Sequence, residues 1–228
     1  MLKIIGNGLI AKSLKKNLTT DRFEIFASGV SNSNEDLKTE FNREIEMIME
    51  FIKDRDINKN IIYFSTYSIY DSSLINSKYV EHKLKIERLM KSVNNSLTIR
   101  LPNVVGEGGN PNTMFNYFKE TINNNEQITI LKNAYRNIID VADISCFINN
   151  LDGKHPKIIN FIHPISYNVI DIVKKMQISL NKKNTIKKIE GGENYIGRPS
   201  GYTLQIMKKC NIDLKETYID NIIKKYKK

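Results

Sequence analysis

Six residues near the start of the chain, Gly6-Asn7-Gly8-Leu9-Ile10-Ala11, constrain its fold more than any other segment. They follow a short apolar run over residues 2–5, and Leu9, Ile10, Leu14 and Leu18 then recur near helical spacing. The pattern predicts a strand, a tight turn and a helix. The turn matches G-x-G-x-x-A, an arrangement in which small residues let a pyrophosphate approach a helix N-terminus, where free N–H groups and the helix dipole favour negative charge. The plainer alternative is a tight strand-to-helix turn that holds no ligand.

The alternation continues down the chain. Phe23-Glu24-Ile25-Phe26-Ala27 predicts a second strand, and the polar residues 28–34 a loop. Phe41, Ile45, Ile48 and Ile52 fall at i, i+4, i+7 and i+11, which predicts the buried face of a helix beginning near residue 35. Ile61-Ile62-Tyr63-Phe64 has no polar break, as suits a strand covered on both sides. A helix over 79–91 is expected to turn Val80, Leu84 and Leu89 inward, before a strand over 97–101. Further on, the expected elements are a glycine-rich loop at 106–112, helices at 114–122, 143–149, 169–180 and 216–226, and strands at 127–131 and 157–161. One-sided helices between apolar strands predict an α/β fold, a Rossmann-type parallel sheet with helices on both faces.

Length and composition narrow the class. With 228 residues the chain can bury one sizeable core, so a single domain over 1–228 is expected. Its Rossmann-type core would cover 1–105 and 126–163, and a small substrate lobe 106–125 and 164–228. No apolar run approaches the roughly 18 residues of a membrane-spanning helix, and the apolar start is too short for a signal peptide. A cytoplasmic protein without a membrane partner is expected. The net charge of +10 comes from scattered Lys and Arg without interleaved stacking aromatics, so nucleic acid is not an expected partner. The basic end Lys224-Lys225-Tyr226-Lys227-Lys228 reads as a solvated helix terminus. Cys146 and Cys210 form no CxxC pair, and His82, His155 and His163 lie far apart, so neither a disulfide framework nor a metal site is expected.

A second constellation is Tyr79-Val80-Glu81-His82-Lys83, whose four-residue spacing puts Tyr79 and Lys83 on one helix face. A phenol is a poor acid-base group at neutral pH, and a nearby ammonium favours its phenolate. Ser65-Thr66 ends the preceding strand, where open α/β sheets bind ligands. Read alone, YxxxK is also compatible with a surface Tyr and Lys on an ordinary helix.

Together these residues resemble the extended short-chain dehydrogenase/reductases, which include nucleotide-sugar epimerases, dehydratases and ketoreductases. The matching segments are Gly6 to Ala11, Phe64-Ser65-Thr66-Tyr67-Ser68-Ile69-Tyr70, and Tyr79 to Lys83. Arg100-Leu101-Pro102-Asn103-Val104-Val105-Gly106 and Arg136-Asn137-Ile138-Ile139-Asp140-Val141-Ala142-Asp143 are similar to two later family segments. The resemblance implies Thr66, Tyr79 and Lys83 as catalytic residues and NAD or NADP as cofactor. It implies dinucleotide contacts from Gly6, Asn7, Gly8, Leu9, Ile10, Ala11, Ala27, Ser28, Gly29, Ser65 and Lys83. Thr66 is chosen over Ser65 because the family's hydroxyl lies four residues before the Tyr that closes its motif, here Tyr70. Tyr67, Asn103 and Arg136 would contact a nucleotide-sugar substrate, with Arg136 on its pyrophosphate. A homodimer through helices 35–53 and 79–91, and a place in surface polysaccharide biosynthesis, are further implications of the family.

Two departures shape the expectation. Family members usually place two more strands between the first helix and a small-residue segment that here resembles Ala27-Ser28-Gly29-Val30-Ser31. Those strands hold the adenosine half of the dinucleotide, so a shortened sheet is expected, and with it the alternative of an accessory nucleotide-sugar-binding protein. Sugar 4,6-dehydratases of the family carry an Asp-Glu pair after the catalytic Thr, where this chain has Tyr67-Ser68. Ketoreduction or epimerisation is expected in preference to 4,6-dehydration.

Overall fold

In chain order the elements are β1 (Ile4–Ile5), α1 (Leu9–Asn17), β2 (Phe23–Phe26), α2 (Lys38–Lys53), β3 (Asn60–Thr66) and a short 3-10 helix (Tyr67–Tyr70). There follow α3 (Lys78–Lys91), β4 (Ser96–Leu101), β5 (Asn103–Val105), α4 (Met114–Asn123), β6 (Ile128–Leu131), β7 (Tyr135–Arg136), β8 (Ile138–Asp140) and α5 (Val141–Asn149). The last are β9 (Ile158–Asn160), β10 (Tyr167–Asn168), α6 (Val169–Ser179), β11 (Ile186–Ile189), α7 (Gly201–Lys209) and α8 (Thr217–Tyr226). This computed structural model describes residues 2–193 and 196–227, so Lys228 of the basic end lies outside the described residues.

The apolar strands pair as their patterns predict. Five form one parallel sheet in the order β1-β2-β3-β4-β9, with Ile62 opposite Leu97 and Phe64 opposite Ile99 in its centre. Every residue of β3 after Asn60 is buried. Ile62 and Phe64 belong to the large core shared with α4, α5, α6 and α8, whereas Ile61 and Tyr63 pack with Phe26, Ile48, Ile86 and Met90. Helices thus cover both faces, as a parallel sheet requires. β1 is the edge of this sheet, and among the described residues no strand pairs with its outer side. The missing pair of strands expected from the sequence is visible here as an exposed edge beside α1.

Beyond β4 the chain builds three small ladders that the strand pattern did not resolve: β5 with β8 and β6 with β11 in parallel, and β7 with β10 antiparallel. Helix α7 was likewise not expected.

Two helices bury different faces from those predicted. In α2 the buried stripe is Phe41, Glu44, Ile48 and Phe51, while Ile45 and Ile52 are only half-buried. In α3 it is Tyr79, Val80, His82, Lys83, Ile86, Glu87 and Met90, and Leu84 and Leu89 are half-buried. Apolar periodicity misplaces the inward face because Glu44, Lys83 and Glu87 of these helices lie inside as ion pairs, Glu44 with Lys83 and Glu87 with Arg100 of β4. Helix α2 also starts at Lys38, three residues later than expected.

The cysteine expectation is corrected outright. Cys146 of α5 and Cys210, the C-cap of α7, form a disulfide across a sequence separation of 64. Spacing arguments look for local pairs, and this pair is created only when α7 docks beside α5.

Candidate active site

The G-x-G-x-x-A turn divides its work between packing and access. Gly6 has φ +125°, and a Cβ there would lie 2.2 Å from the Ala27 carbonyl oxygen, so only glycine lets β1 turn this close to the end of β2. Ala11, on the inward face of α1, is fully buried. Asn7, Gly8, Leu9 and Ile10 instead line a cleft of about 1170 Å³ at the C-terminal ends of the sheet strands. Gly8 is the N-cap of α1, no side chain caps it, no acidic residue lies in the first turn, and a Cβ at Gly8 would meet nothing within 4 Å. An uncapped helix N-terminus facing open space suits a phosphate.

The same cleft takes in Ala27, Ser28, Gly29, Ser65, Thr66, Tyr79, Lys83, Asn103 and Arg136. Ser65 and Thr66 differ sharply in availability. The Ser65 hydroxyl donates to Glu87 Oε1 at 2.6 Å, and Glu87 in turn accepts from Arg100 Nε and Nη2 at 2.8 and 2.6 Å. Thr66 Oγ1 accepts from the Ser68 N–H at 3.0 Å, which leaves its own proton free to donate. Tyr79 stands in the first turn of α3, which Ser77 caps by accepting from the Val80 N–H at 3.2 Å. Among the described residues its hydroxyl makes no hydrogen bond.

Lys83 is 2% exposed, and its Nζ lies 5.5 Å from the Tyr63 ring centre and 5.9 Å from that of Tyr79. It donates to both oxygens of Glu44, at 2.9 and 3.2 Å. Burial by itself would push the Glu44 carboxyl up. The Lys83 charge, with hydrogen bonds from His82, the Val30 N–H and Lys83, outweighs it and holds the group down at about 2. Glu44 is the residue of this region that sequence reasoning missed, because it sits among apolar positions on α2 and 39 residues from its partner.

On the opposite wall, Arg136 Nη1 donates to its neighbour's carbonyl, that of Tyr135, at 2.8 Å and lies 3.7 Å from Asp71 Oδ2. Asp71 is buried and its Oδ1 accepts from the Ser73 N–H and hydroxyl. Asn103 Nδ2 donates to the Asn137 carbonyl, which secures the segment that carries it. Tyr67 is the exception among the expected substrate contacts. It lies outside the cleft lining, its ring tilted at 52° against that of Tyr70 with 4.8 Å between centres, and its hydroxyl fills the space a Cβ on Gly197 would need.

These residues fit the pyrophosphate and nicotinamide portions of a dinucleotide: an uncapped helix end with room above it, and Lys83 beside Tyr79 further along the same cleft. For the adenosine portion the cleft offers the polar residues 31–34, Lys12 and Arg43.

Comparison with solved structures agrees with the fold. The structure titled RMD from Pseudomonas aeruginosa, complexed with NADPH, superposes with a TM-score of 0.72 at 14% identity, covering 98% of both chains. A UDP-N-acetylglucosamine 4-epimerase from Methanobrevibacter ruminantium, in complex with UDP-N-acetylmuramic acid, gives a TM-score of 0.65 at 16% identity over 98% of this chain and 81% of its own. A UDP-glucuronic acid 4-epimerase from Bacillus cereus, with UDP-glucuronic acid and NAD, gives 0.68 at 16% over 96% and 77%. No protein-family profile and no curated protein sequence matches the chain. This chain therefore has the Rossmann-type fold that these sugar-nucleotide enzymes share.

Proposed function

We propose that this chain is an extended short-chain dehydrogenase/reductase, an NAD- or NADP-dependent oxidoreductase or epimerase acting on a nucleotide-activated sugar. The observation that supports this best is the convergence of Thr66, Tyr79 and Lys83 on one cleft that also receives the uncapped end of α1. The solved structures of similar fold were obtained with NADPH, NAD or nucleotide sugars, which points the same way.

A bound nicotinamide would supply hydride transfer at a substrate carbon. The chain's own part is positional and acid-base. Tyr79, whose hydroxyl is unclaimed among the described residues, exchanges a proton with the substrate oxygen, and Thr66 donates its free proton to the same oxygen. Lys83 holds the nicotinamide ribose and offers positive charge beside Tyr79. The Gly8 to Ile10 turn would hold the cofactor's phosphates, and Arg136 would turn from Asp71 to the sugar nucleotide's pyrophosphate. No Asp-Glu pair follows Thr66, where Tyr67 and Ser68 stand instead, so ketoreduction or epimerisation is favoured over 4,6-dehydration.

Calorimetric titration of cofactor-stripped protein with NAD, NADH, NADP and NADPH tests the proposal. Micromolar binding of one redox pair supports it. A second reading, an accessory protein that binds a nucleotide sugar without hydride chemistry, draws on the exposed β1 edge where the adenosine half is shortened. Sugar-nucleotide binding without affinity for any of the four dinucleotides would favour that reading.

A further inference from the structure

Glu44 is fully buried, lies on α2 and belongs to none of the roles above. Its carboxylate nevertheless gathers Lys83, His82, the Tyr63 hydroxyl and the Val30 N–H. Oε1 accepts from Lys83 Nζ at 2.9 Å and from the Tyr63 hydroxyl at 3.1 Å. Oε2 accepts from the Val30 N–H at 2.7 Å and from Lys83 at 3.2 Å, and lies 3.0 Å from His82 Nε2. His82 is itself fixed by stacking on Phe41, 4.6 Å between ring centres. Gly29, at the cleft wall, has no room for a side chain because a Cβ would lie 2.6 Å from Lys83 Nζ and 2.8 Å from Glu44 Oε1.

Stability alone does not account for this arrangement, because a well-packed apolar pair of similar volume is often as stable as a buried ion pair. What the charged pair adds is direction. An ammonium has three hydrogens, and its contacts with the two oxygens of this one carboxylate leave at least one for the cleft that Lys83 lines. We infer that Glu44 is a positioning residue for Lys83: it clamps the ammonium between α2 and α3, so that an N–H is presented to the nicotinamide ribose beside Tyr79. The ribose contact rests on the proposed function, whereas the clamp itself is a property of the chain.

The test uses Glu44→Gln and Glu44→Asp in the full chain, with two readouts. The first is the ¹⁵N resonance of the Lys83 ammonium in the ligand-free protein, assigned by its loss in Lys83→Met. In wild type it should be a distinct, slowly exchanging signal. In E44Q it should disappear, and in E44D it should shift and broaden. The second is dinucleotide binding with the split between KM and kcat. Dinucleotide affinity should fall about tenfold in E44Q, with kcat reduced at least as much, because a displaced ammonium loses its ribose contact and its place beside Tyr79. Should E44Q fail to fold, E44D decides, since its shorter side chain keeps the charge but cannot reach all four donors. A folded variant with the wild-type Lys83 resonance and wild-type dinucleotide affinity would overturn the inference. Wild-type protein that binds no dinucleotide would sink the proposed function instead, and the ligand-free resonance would still answer for Glu44.

Discussion

Gly6 and Ala27 are in backbone contact, with the place of a Gly6 Cβ only 2.2 Å from the Ala27 carbonyl oxygen, whereas Gly8 two residues on faces empty space. The two glycines of one motif therefore answer to different demands. Gly6→Ala should destabilise the fold by about 2 kcal/mol or more, since an L-residue must take φ +125° and push β2 away. Gly8→Ala should leave stability within about 0.5 kcal/mol and yet weaken dinucleotide binding, because its methyl group enters the proposed phosphate site. Chemical denaturation and calorimetry on both variants separate these effects.

Removing the hydroxyl of Tyr79 should abolish turnover with little change in ligand affinity or stability, since it has no hydrogen-bond partner to lose among the described residues. Steady-state kinetics and calorimetry on Tyr79→Phe check this, and retained turnover would exclude the mechanism.

The neighbouring hydroxyls of β3 should separate cleanly. Ser65→Ala deprives the Glu87–Arg100 pair of a 2.6 Å hydrogen bond and should cost roughly 1–3 kcal/mol of stability while kcat is kept. Thr66→Val keeps the volume but gives up the bond from the Ser68 N–H, so it should lower kcat about a hundredfold at a stability cost of about 1 kcal/mol. The opposite pattern would transfer the catalytic assignment to Ser65.

Asp143 gives the fold a pH signature. Burial raises its carboxyl to about 6, the nearby Asp140 adds to the rise, and the Tyr218 hydroxyl at 2.6 Å opposes it. With the folded value above the ordinary 3.8, the folded state binds the extra proton, so this group's contribution to stability falls as pH rises from about 4 to about 6. Glu44 acts in the opposite sense: its folded value of about 2 lies below the ordinary 4.5, so stability from that site is present above 4.5 and is lost as pH falls toward 2. Asp143→Asn should flatten the pH dependence of Tm between 4 and 6 and leave the acid loss below 4.5 in place.

The Cys146–Cys210 disulfide closes a loop with a sequence separation of 64, for which chain-entropy reasoning gives on the order of 4 kcal/mol. Thermal unfolding with and without a strong reductant should show Tm falling by several degrees on reduction, and Cys146→Ser should reproduce the reduced value without reductant. Identical midpoints in both conditions would mean that the bond contributes no stability.

The sequence by itself determined the alternation of strands and helices, the glycine turn at Gly6 to Ala11, the pairing of Tyr79 with Lys83 on α3 and the shortened start of the sheet. The first three are written in a local period or a spacing of a few residues, and the last in a departure from the family that the sequence resembles. Only the tertiary structure decided which helix faces are buried, that Lys83 is clamped by Glu44, that Ser65 is bound to Glu87 while Thr66 keeps a free proton, that Tyr67 turns away from the cleft, and that two distant cysteines meet. Those facts come from partners that lie tens of residues apart. A buried charge looks like a surface charge in sequence, because what makes it tolerable inside is an opposite charge on another element. Periodicity assigns apolar residues to the inside by default, so it errs at α2 and α3, where ion pairs take apolar positions beside the proposed catalytic groups.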